Sequence, residues 1–151
     1  MMENEQEHIS ALELSNRAKP APKSWQKRNH NENTFVRDPI IRYLRAIGVF
    51  CWPHSNTGIK VKNKFTGREH WVYSNMRGIS DIIGWLGPRW GRYAGRFVAV
   101  ECKYGDNTAS PEQAEFLRSA KESHCVSILA YDIKDVQTVL DAIRQDIEKG
   151  E

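Results

Sequence analysis

The chain has 151 residues, 40% of them hydrophobic, and its 22 basic and 19 acidic residues give a formal net charge of +3 at pH 7. This length is typical of one domain that can bury a core, and the modest apolar fraction fits such a domain plus a polar segment. No run of roughly 18 apolar residues predicts a membrane helix, and no secretion signal is evident, so we expect a cytoplasmic protein. Three cysteines without metal-ligand spacing favour a reducing compartment over a disulfide framework.

Residues 1–31 are polar and lack sustained hydrophobic periodicity, which predicts a flexible arm in front of a domain over residues 32–151. The arm holds one tryptophan, Trp25, among basic residues, a composition that suits contact with phosphates and stacking on a base. A solvated tail or a segment used in dimer contacts is an equal alternative. The basic residues of this arm are Arg17, Lys19, Lys23, Lys27, Arg28 and His30.

The first helix has two possible starts. Asp38 can cap a helix whose first turn contains Pro39, because an aspartate accepts from exposed N–H groups and proline fits the first helical position. Alternatively, the helix begins near Thr34 and is bent at Pro39. In both cases apolar residues recur at helical spacing until Gly48 ends the helix, and a short strand follows over 49–52.

Alternation of polar and apolar residues over 60–62 and 70–73 predicts a hairpin, with its turn at Phe65–Arg68. The apolar segments Ile82–Leu86 and Phe97–Val100 predict buried strands, joined by a loop over 87–96.

The last third of the chain predicts a helix, a strand and a second helix. Ser110 and Gln113 form a capping-box pattern around Pro111, which predicts a helix reaching about Glu122. A strand over 126–130 and a final helix starting at Asp132 or Lys134 complete the predicted elements.

Glu101 and Lys103 are the residues most suggestive of function. They project from one face of the predicted strand, while Cys102 points to the other face. Asp81 delivers a second acid from a preceding turn. Two carboxylates and a lysine can hold a divalent cation and stabilise a pentacovalent phosphate, which predicts a metal-dependent nuclease. The structural alternatives are an Asp81 that caps a turn and an exposed salt bridge between Glu101 and Lys103.

Five segments, in this order, carry a family resemblance: Pro39–Leu44, Ser55–Gly58, Gly78–Gly84, Val100–Lys103 and Ser110–Gln113. Together they resemble the VRR-NUC family of the PD-(D/E)XK nuclease superfamily, in its small stand-alone form of the kind found in phages. The resemblance implies an α/β fold, with a mixed central β-sheet flanked by α-helices. It also implies dependence on Mg²⁺ or Mn²⁺ and hydrolysis of phosphodiester bonds in structured DNA.

The expected metal ligands are Asp81 and Glu101, whose carboxylates suit a hard cation, and the backbone carbonyl of Cys102. The family usually adds an acid from the first helix. Glu32 and Asp38 are the candidates in this chain, and we favour Glu32.

Lys103 and Gln113 complete the expected catalytic set with Asp81 and Glu101. Lys103 would orient the attacking water or stabilise the transition state, and we expect it to stay charged beside ionised carboxylates. By the resemblance, Gln113 would contact water or phosphate, a role compatible with capping its helix.

Candidate DNA contacts fall in the hairpin and in two loops, where Trp90 and Tyr93 interleave with arginines in a pattern typical of a backbone-gripping or stacking surface. Stand-alone members of the family tend to be homodimers, so we expect a dimer acting on branched DNA such as Holliday junctions. The alternatives are a nuclease of duplex or flap DNA and a non-catalytic DNA-binding module. The expected DNA contacts are Lys60, Lys62, Lys64, Arg68, Arg77, Arg89, Arg92 and Arg96.

Overall fold

The computed structural model describes residues 30–55, 59–72 and 77–150. The described strands are β1 (Val49–Pro53), β2 (Ile59–Lys62), β3 (Glu69–Val72), β4 (Ile82–Leu86), β5 (Phe97–Cys102) and β6 (Val126–Ala130). The helices are α1 (Asp38–Ala46), α2 (Pro111–Glu122) and α3 (Ile133–Lys149), with a π-helical turn at Asn33–Arg37 and a 3-10 segment at Pro88–Tyr93. No helix in the described ranges is both long and apolar enough to cross a membrane.

Strands β1, β4, β5 and β6 form one mixed sheet in that order. The pairs β1–β4 and β4–β5 are antiparallel, whereas β5 and β6 are parallel. Among the described strands, β2 and β3 pair only with each other, as an antiparallel hairpin. The expected α/β domain with a mixed sheet and helices is therefore confirmed, and its assignment to the nuclease superfamily stays a prediction.

The two faces of the sheet have different partners. Val98, Val100 and Cys102 of β5 point into the main core, which also contains buried side chains of α1 and α3. The opposite face carries Ser127, whose hydroxyl donates to the carbonyl of Leu117 in α2 at 2.7 Å. Side chains alternate along a strand, so Glu101 projects to the side of α2 rather than into the main core.

The first helix begins earlier than a cap at Asp38 would allow. Residues 30–32 are already helical, and the N–H of Asp38 donates to the carbonyl of Asn33, five residues back. Pro39 has no N–H, and in a regular helix its ring would crowd a carbonyl of the preceding turn; the π turn gives the chain room there. The predicted cap at Asp38 is therefore wrong, and the alternative of a helix that starts before Pro39 is the closer one.

Most other predicted elements are confirmed. The hairpin, the strands and the last two helices lie where expected, and the capping box at Ser110 and Gln113 is formed in both directions. Asp132 rather than Lys134 caps α3, because its carboxylate accepts from the main chain of Lys134 at 2.7 Å. The predicted arm lies outside the described residues except for positions 30 and 31, which are helical; residues 56–58 and Tyr73 also lie outside.

Gly84 lets β1 and β4 approach each other. A Cβ atom at this position would lie 1.9 Å from the carbonyl oxygen of Phe50 on β1. We expect Gly84→Ala to lower the free energy of unfolding by about 3 kcal/mol, because the strands would have to separate. Gly95→Ala is the matched control: its φ of +81° is strained for alanine, but no atom lies nearby, so a loss of about 1–2 kcal/mol is expected. Equal losses of unfolding free energy for the two variants, measured by urea unfolding, would contradict this role of Gly84.

Candidate active site at the end of strands β4 and β5

The antiparallel pairing of β4 with β5 brings the two predicted acids to one end of the sheet. Ile82, the first residue of β4, is opposite Val100, so Asp81 lies just beyond this pair, near Glu101. The N–H of Cys102 donates to Oδ2 of Asp81 at 2.9 Å. The Asp81 carboxylate therefore accepts the hydrogen bond that a main-chain carbonyl would accept if β4 continued.

Glu101 and Lys103 form a buried ion pair. Nζ of Lys103 lies 2.7 Å from Oε1 of Glu101, and the two residues are 0% and 7% exposed. Apart from this ion pair, neither carboxylate oxygen of Glu101 has a hydrogen-bond partner among the residues that the structure describes, although both are shielded from solvent. The alternative of an exposed surface salt bridge is therefore wrong. Burying a carboxyl group with so few partners disfavours its ionised form, which is a feature of functional sites more than of stabilising ones.

Burial and neighbouring charges shift the pKa values of both members of this pair. Burial, reinforced by the charge of Asp81, raises the pKa of Glu101 to about 8, although Lys103 opposes the change. Burial acts to lower the pKa of Lys103, but Glu101, Glu32 and Asp81 together outweigh it and raise that pKa. Lys103 therefore stays an ammonium group, as expected, and a bound cation would relieve the repulsion between the carboxylates.

Glu32 is the acid of the first helix that faces this site. Burial raises its pKa; the charge of Lys103 opposes this change and that of Asp81 adds to it, so Glu32 shares their electrostatic environment. The ring of Phe35, one turn along, stacks on Tyr104 at 5.9 Å and ties the helix to the segment after β5. Asp38, by contrast, is paired with Arg37 at 3.1 Å.

The donor set fits a hard cation through two carboxylates and a main-chain oxygen. In the part of the chain that the structure describes, no three His, Cys, Asp or Glu side chains are placed to hold a metal ion. The part of Glu32 as a further metal ligand stays a prediction. The oxygens of Glu101 that lack hydrogen bonds, next to Asp81, are donors of the kind that Mg²⁺ prefers.

The carbonyl of Cys102 is directed toward the same place. The N–H and C=O of one strand residue point to the same edge, and the N–H of Cys102 points to Asp81. The next N–H, that of Lys103, points the other way and donates to Ala130 on β6 at 2.9 Å. Burial raises the pKa of the Cys102 thiol, so the sulfur stays protonated and only the carbonyl suits a hard cation.

Gly78 presses the Asp81 loop against the start of α2. Its φ is +81°, and a Cβ atom there would lie 2.5 Å from the main chain of Glu112. The partial positive charge of the first turn of α2 therefore adjoins the loop that carries Asp81. Within that turn, Oε1 of Gln113 accepts from the N–H of Ser110 at 2.8 Å, so this oxygen is used for capping. The contact of Gln113 with water or phosphate stays a prediction.

The expected DNA contacts divide into two groups. Arg77 is exposed next to Gly78, and four further cations lie on the hairpin: Lys60, Lys62, Lys64 and Arg68. Arg89, Arg92 and Arg96 lie in or beside the β4–β5 connection, at the opposite end of the sheet from Glu101, about 13 Å or more away along the strands. The structure therefore does not bring these three arginines to the site.

The β4–β5 connection is packed onto α3 rather than open for stacking. Trp90 is only 2% exposed and lies under the guanidinium of Arg144, so its expected part in a stacking surface is wrong. Arg92 donates to the carboxylate of Asp146 at 2.5 Å, and Arg96 lies over the ring of Tyr93 at 4.1 Å.

Sequence reasoning did not single out Asn107, Tyr104 or Ser80. A side-chain hydrogen bond from Asn107 and a main-chain one from Tyr104 act to lower the pKa of Glu32. Ser80 is fully buried beside Asp81, and its hydroxyl has no hydrogen-bond partner among the described residues. The one signal in the sequence was proximity, because Ser80 directly precedes Asp81, Tyr104 directly follows Lys103, and Asn107 lies four residues after Lys103.

Comparisons with known proteins do not assign the chain to a family. No protein-family model matches the chain, and a search of curated proteins finds no match. What supports a function for this site is its own geometry: a buried glutamate and lysine, with a partly buried aspartate beside them, at the end of two strands.

The raised pKa of Glu101 predicts how stability depends on pH. Below about 8 the folded protein retains a proton that the unfolded chain, with its ordinary value of 4.5, has lost. The folded state thus binds more protons between these values, and the free energy of unfolding contributed by Glu101 falls as pH rises through this window. We expect urea unfolding of the wild type to lose stability more steeply there than that of Glu101→Gln. Glu115→Gln, on the exposed side of α2, should keep the wild-type slope; identical slopes for all three proteins would contradict the assignment.

Proposed function

We propose that this protein is a Mg²⁺-dependent endonuclease that hydrolyses phosphodiester bonds in structured DNA, a VRR-NUC-like member of the PD-(D/E)XK superfamily. One observation carries the proposal. Asp81 and Glu101 meet at the end of paired strands, and a buried, charged Lys103 lies 2.7 Å from Glu101. This combination of two hard donors and a fixed ammonium group suits phosphoryl chemistry better than any structural role.

Asp81, Glu101 and the carbonyl of Cys102 are the groups that would hold Mg²⁺. When bound, Mg²⁺ supplies charge neutralisation at the phosphate and acidifies water. The contribution of the chain is to keep both carboxylates in place, Asp81 through its hydrogen bond from Cys102 and Glu101 through burial in β5.

Lys103 supplies positive charge beside the reacting phosphate. An ammonium group has three donors, so Lys103 can contact Glu101 and still donate to the attacking water or to a phosphate oxygen. Because its pKa is raised, it acts as a donor and not as a general base. The first turn of α2, packed on Gly78, adds a partial positive charge on the same side.

Two other functions are compatible with the sequence. A nuclease of duplex or flap DNA would use the same site, so only the choice of substrate separates it from a nuclease of branched DNA. A non-catalytic DNA-binding module is disfavoured by the burial of Glu101, because such a module gains nothing from an ionisable group that is expensive to bury.

The proposal predicts that cleavage depends on the charged groups of the site. Lys103→Ala and Asp81→Asn should each lower the cleavage rate by about 100-fold or more, because each removes a charge aimed at the phosphate or its cation. Lys121→Ala, at an exposed position of α2, is the matched control and should cut like the wild type. The assay uses labelled four-way junction, duplex, flap and single-stranded DNA, with Mg²⁺ or EDTA.

Each outcome of this assay has a definite meaning. Metal-dependent cutting of the junction that both site variants lose supports a nuclease of branched DNA. Cutting of duplex or flap DNA alone keeps the nuclease and removes the preference for branches. Binding without cutting by the wild type, under every metal condition, would overturn the enzyme in favour of the binding module.

The proposal includes a homodimer, which would place two sites on the two strands of a symmetric junction. An uncovered aromatic patch supports this: Phe50 and Trp85 stack at 5.6 Å, Trp52 meets Trp85 edge-on at 5.5 Å, and all three are exposed. We expect light scattering at micromolar concentration to give twice the chain mass of 17.4 kDa, and Trp85→Glu to give the monomer. Tyr131→Glu, also exposed, should leave the mass unchanged; a monomeric wild type would count against paired cleavage.

A further inference from the structure

The β2–β3 hairpin, residues 59–72, carries the excess positive charge of the whole chain. It has four basic residues and one acidic residue, which leaves 18 basic and 18 acidic residues for the rest of the protein. The acid, Glu69, forms an ion pair with Lys60. Lys62, Lys64 and Arg68 remain exposed. Such a concentration of cations is complementary to a polyanion.

An apolar ring lies at the tip of this cationic hairpin. Phe65 is 98% exposed, the highest value among the large hydrophobic side chains that the structure describes. Oδ1 of Asn63 accepts from the N–H of Phe65 at 2.8 Å and from that of Thr66 at 3.0 Å, and the Asn63 carbonyl accepts from Gly67 at 2.9 Å. These bonds fix the backbone of the turn that carries the exposed ring.

The hairpin leaves the sheet at the end that carries the site. Pro53, the last residue of β1, is opposite Ile82, and the N–H of His54 donates to the carbonyl of Asp81 at 2.7 Å. After β3 the chain returns to Arg77 and Gly78, in the loop that ends at Asp81. His54 and Arg77, described residues that precede and follow the hairpin, therefore lie beside the candidate active site, and the connections from them to the hairpin include residues 56–58 and 73–76, which lie outside the described ranges.

Building on the nuclease function proposed above, we propose that the hairpin grips the phosphates of branched DNA and that Phe65 inserts between bases at the branch point. Apolar side chains flanked by cations enter base steps in this way, with the cations neutralising the adjacent phosphates. At a branch the stacking is already interrupted, so insertion requires little unstacking, whereas an intact duplex must first be opened. Phe65 thereby makes the enzyme select branched over continuous DNA.

The test compares wild type, Phe65→Ala and Phe65→Trp on a four-way junction and a matched duplex, each with 2-aminopurine beside the branch or equivalent position. In EDTA, which prevents metal-dependent cutting, we expect the wild type and Phe65→Trp to raise the junction fluorescence by unstacking the probe. Phe65→Ala should lose this rise and bind the junction about tenfold more weakly, with duplex binding unchanged. Because the ring is 98% exposed, the thermal midpoint should be the same for all three proteins.

Other outcomes separate this inference from the nuclease proposal. If Phe65→Ala keeps the fluorescence rise and the junction preference, the insertion is wrong, even when cutting with Mg²⁺ is intact. If the rise depends on Phe65 but no DNA is cut with Mg²⁺, the insertion stands and the nuclease proposal fails. A wild type that binds no DNA form would overturn the insertion. A Phe65→Ala variant that changes only the oligomeric mass would also overturn it, because the tip of the hairpin would then act in contacts between chains.

Discussion

The central constraint in this structure is the burial of opposite charges at the end of β5. Glu101 is fully enclosed, and its closest charged partner is Lys103, at 2.7 Å. Burial, together with repulsion by the Asp81 carboxylate, raises the pKa of Glu101 to about 8. This arrangement is unfavourable for the ionised form of Glu101, and a cation bound between the acids would remove the repulsion. These unfavourable electrostatics support the proposal that the site binds a cation.

The rest of the fold explains how this site is held. Antiparallel pairing brings the start of β4 beside the end of β5, and the side chain of Asp81 replaces the missing ladder partner of Cys102. Alternation along β5 sends Val100 and Cys102 into the core, so Glu101 must face α2. Gly78 allows the Asp81 loop to touch the first turn of α2. Each of these features is local, and together they hold the side chains of Asp81, Glu101 and Lys103 close to one another.

The local parts of this arrangement could be predicted from the sequence, because they depend on neighbouring residues. The capping box at Ser110 and the alternation in β5 are of this kind. Features that depend on contacts between distant residues could not be predicted from the sequence. The burial of Trp90, for example, results from packing under Arg144 of α3. The π turn before Pro39 similarly reflects a whole helix adjusting to one ring. Glu32 was favoured by resemblance alone, and its electrostatic interaction with Lys103 and Asp81 could only come from the folded chain.

Diffraction from crystals grown with Mn²⁺ would show whether Asp81 and Glu101 bind a hard divalent cation. We expect an anomalous peak in contact with both carboxylates and with the carbonyl of Cys102, and no peak there in crystals of Glu101→Gln. Ordered Mn²⁺ at other positions only, with Lys103 still paired to Glu101 as in the structure, would contradict cation binding by these acids and leave the buried pair as a purely structural feature.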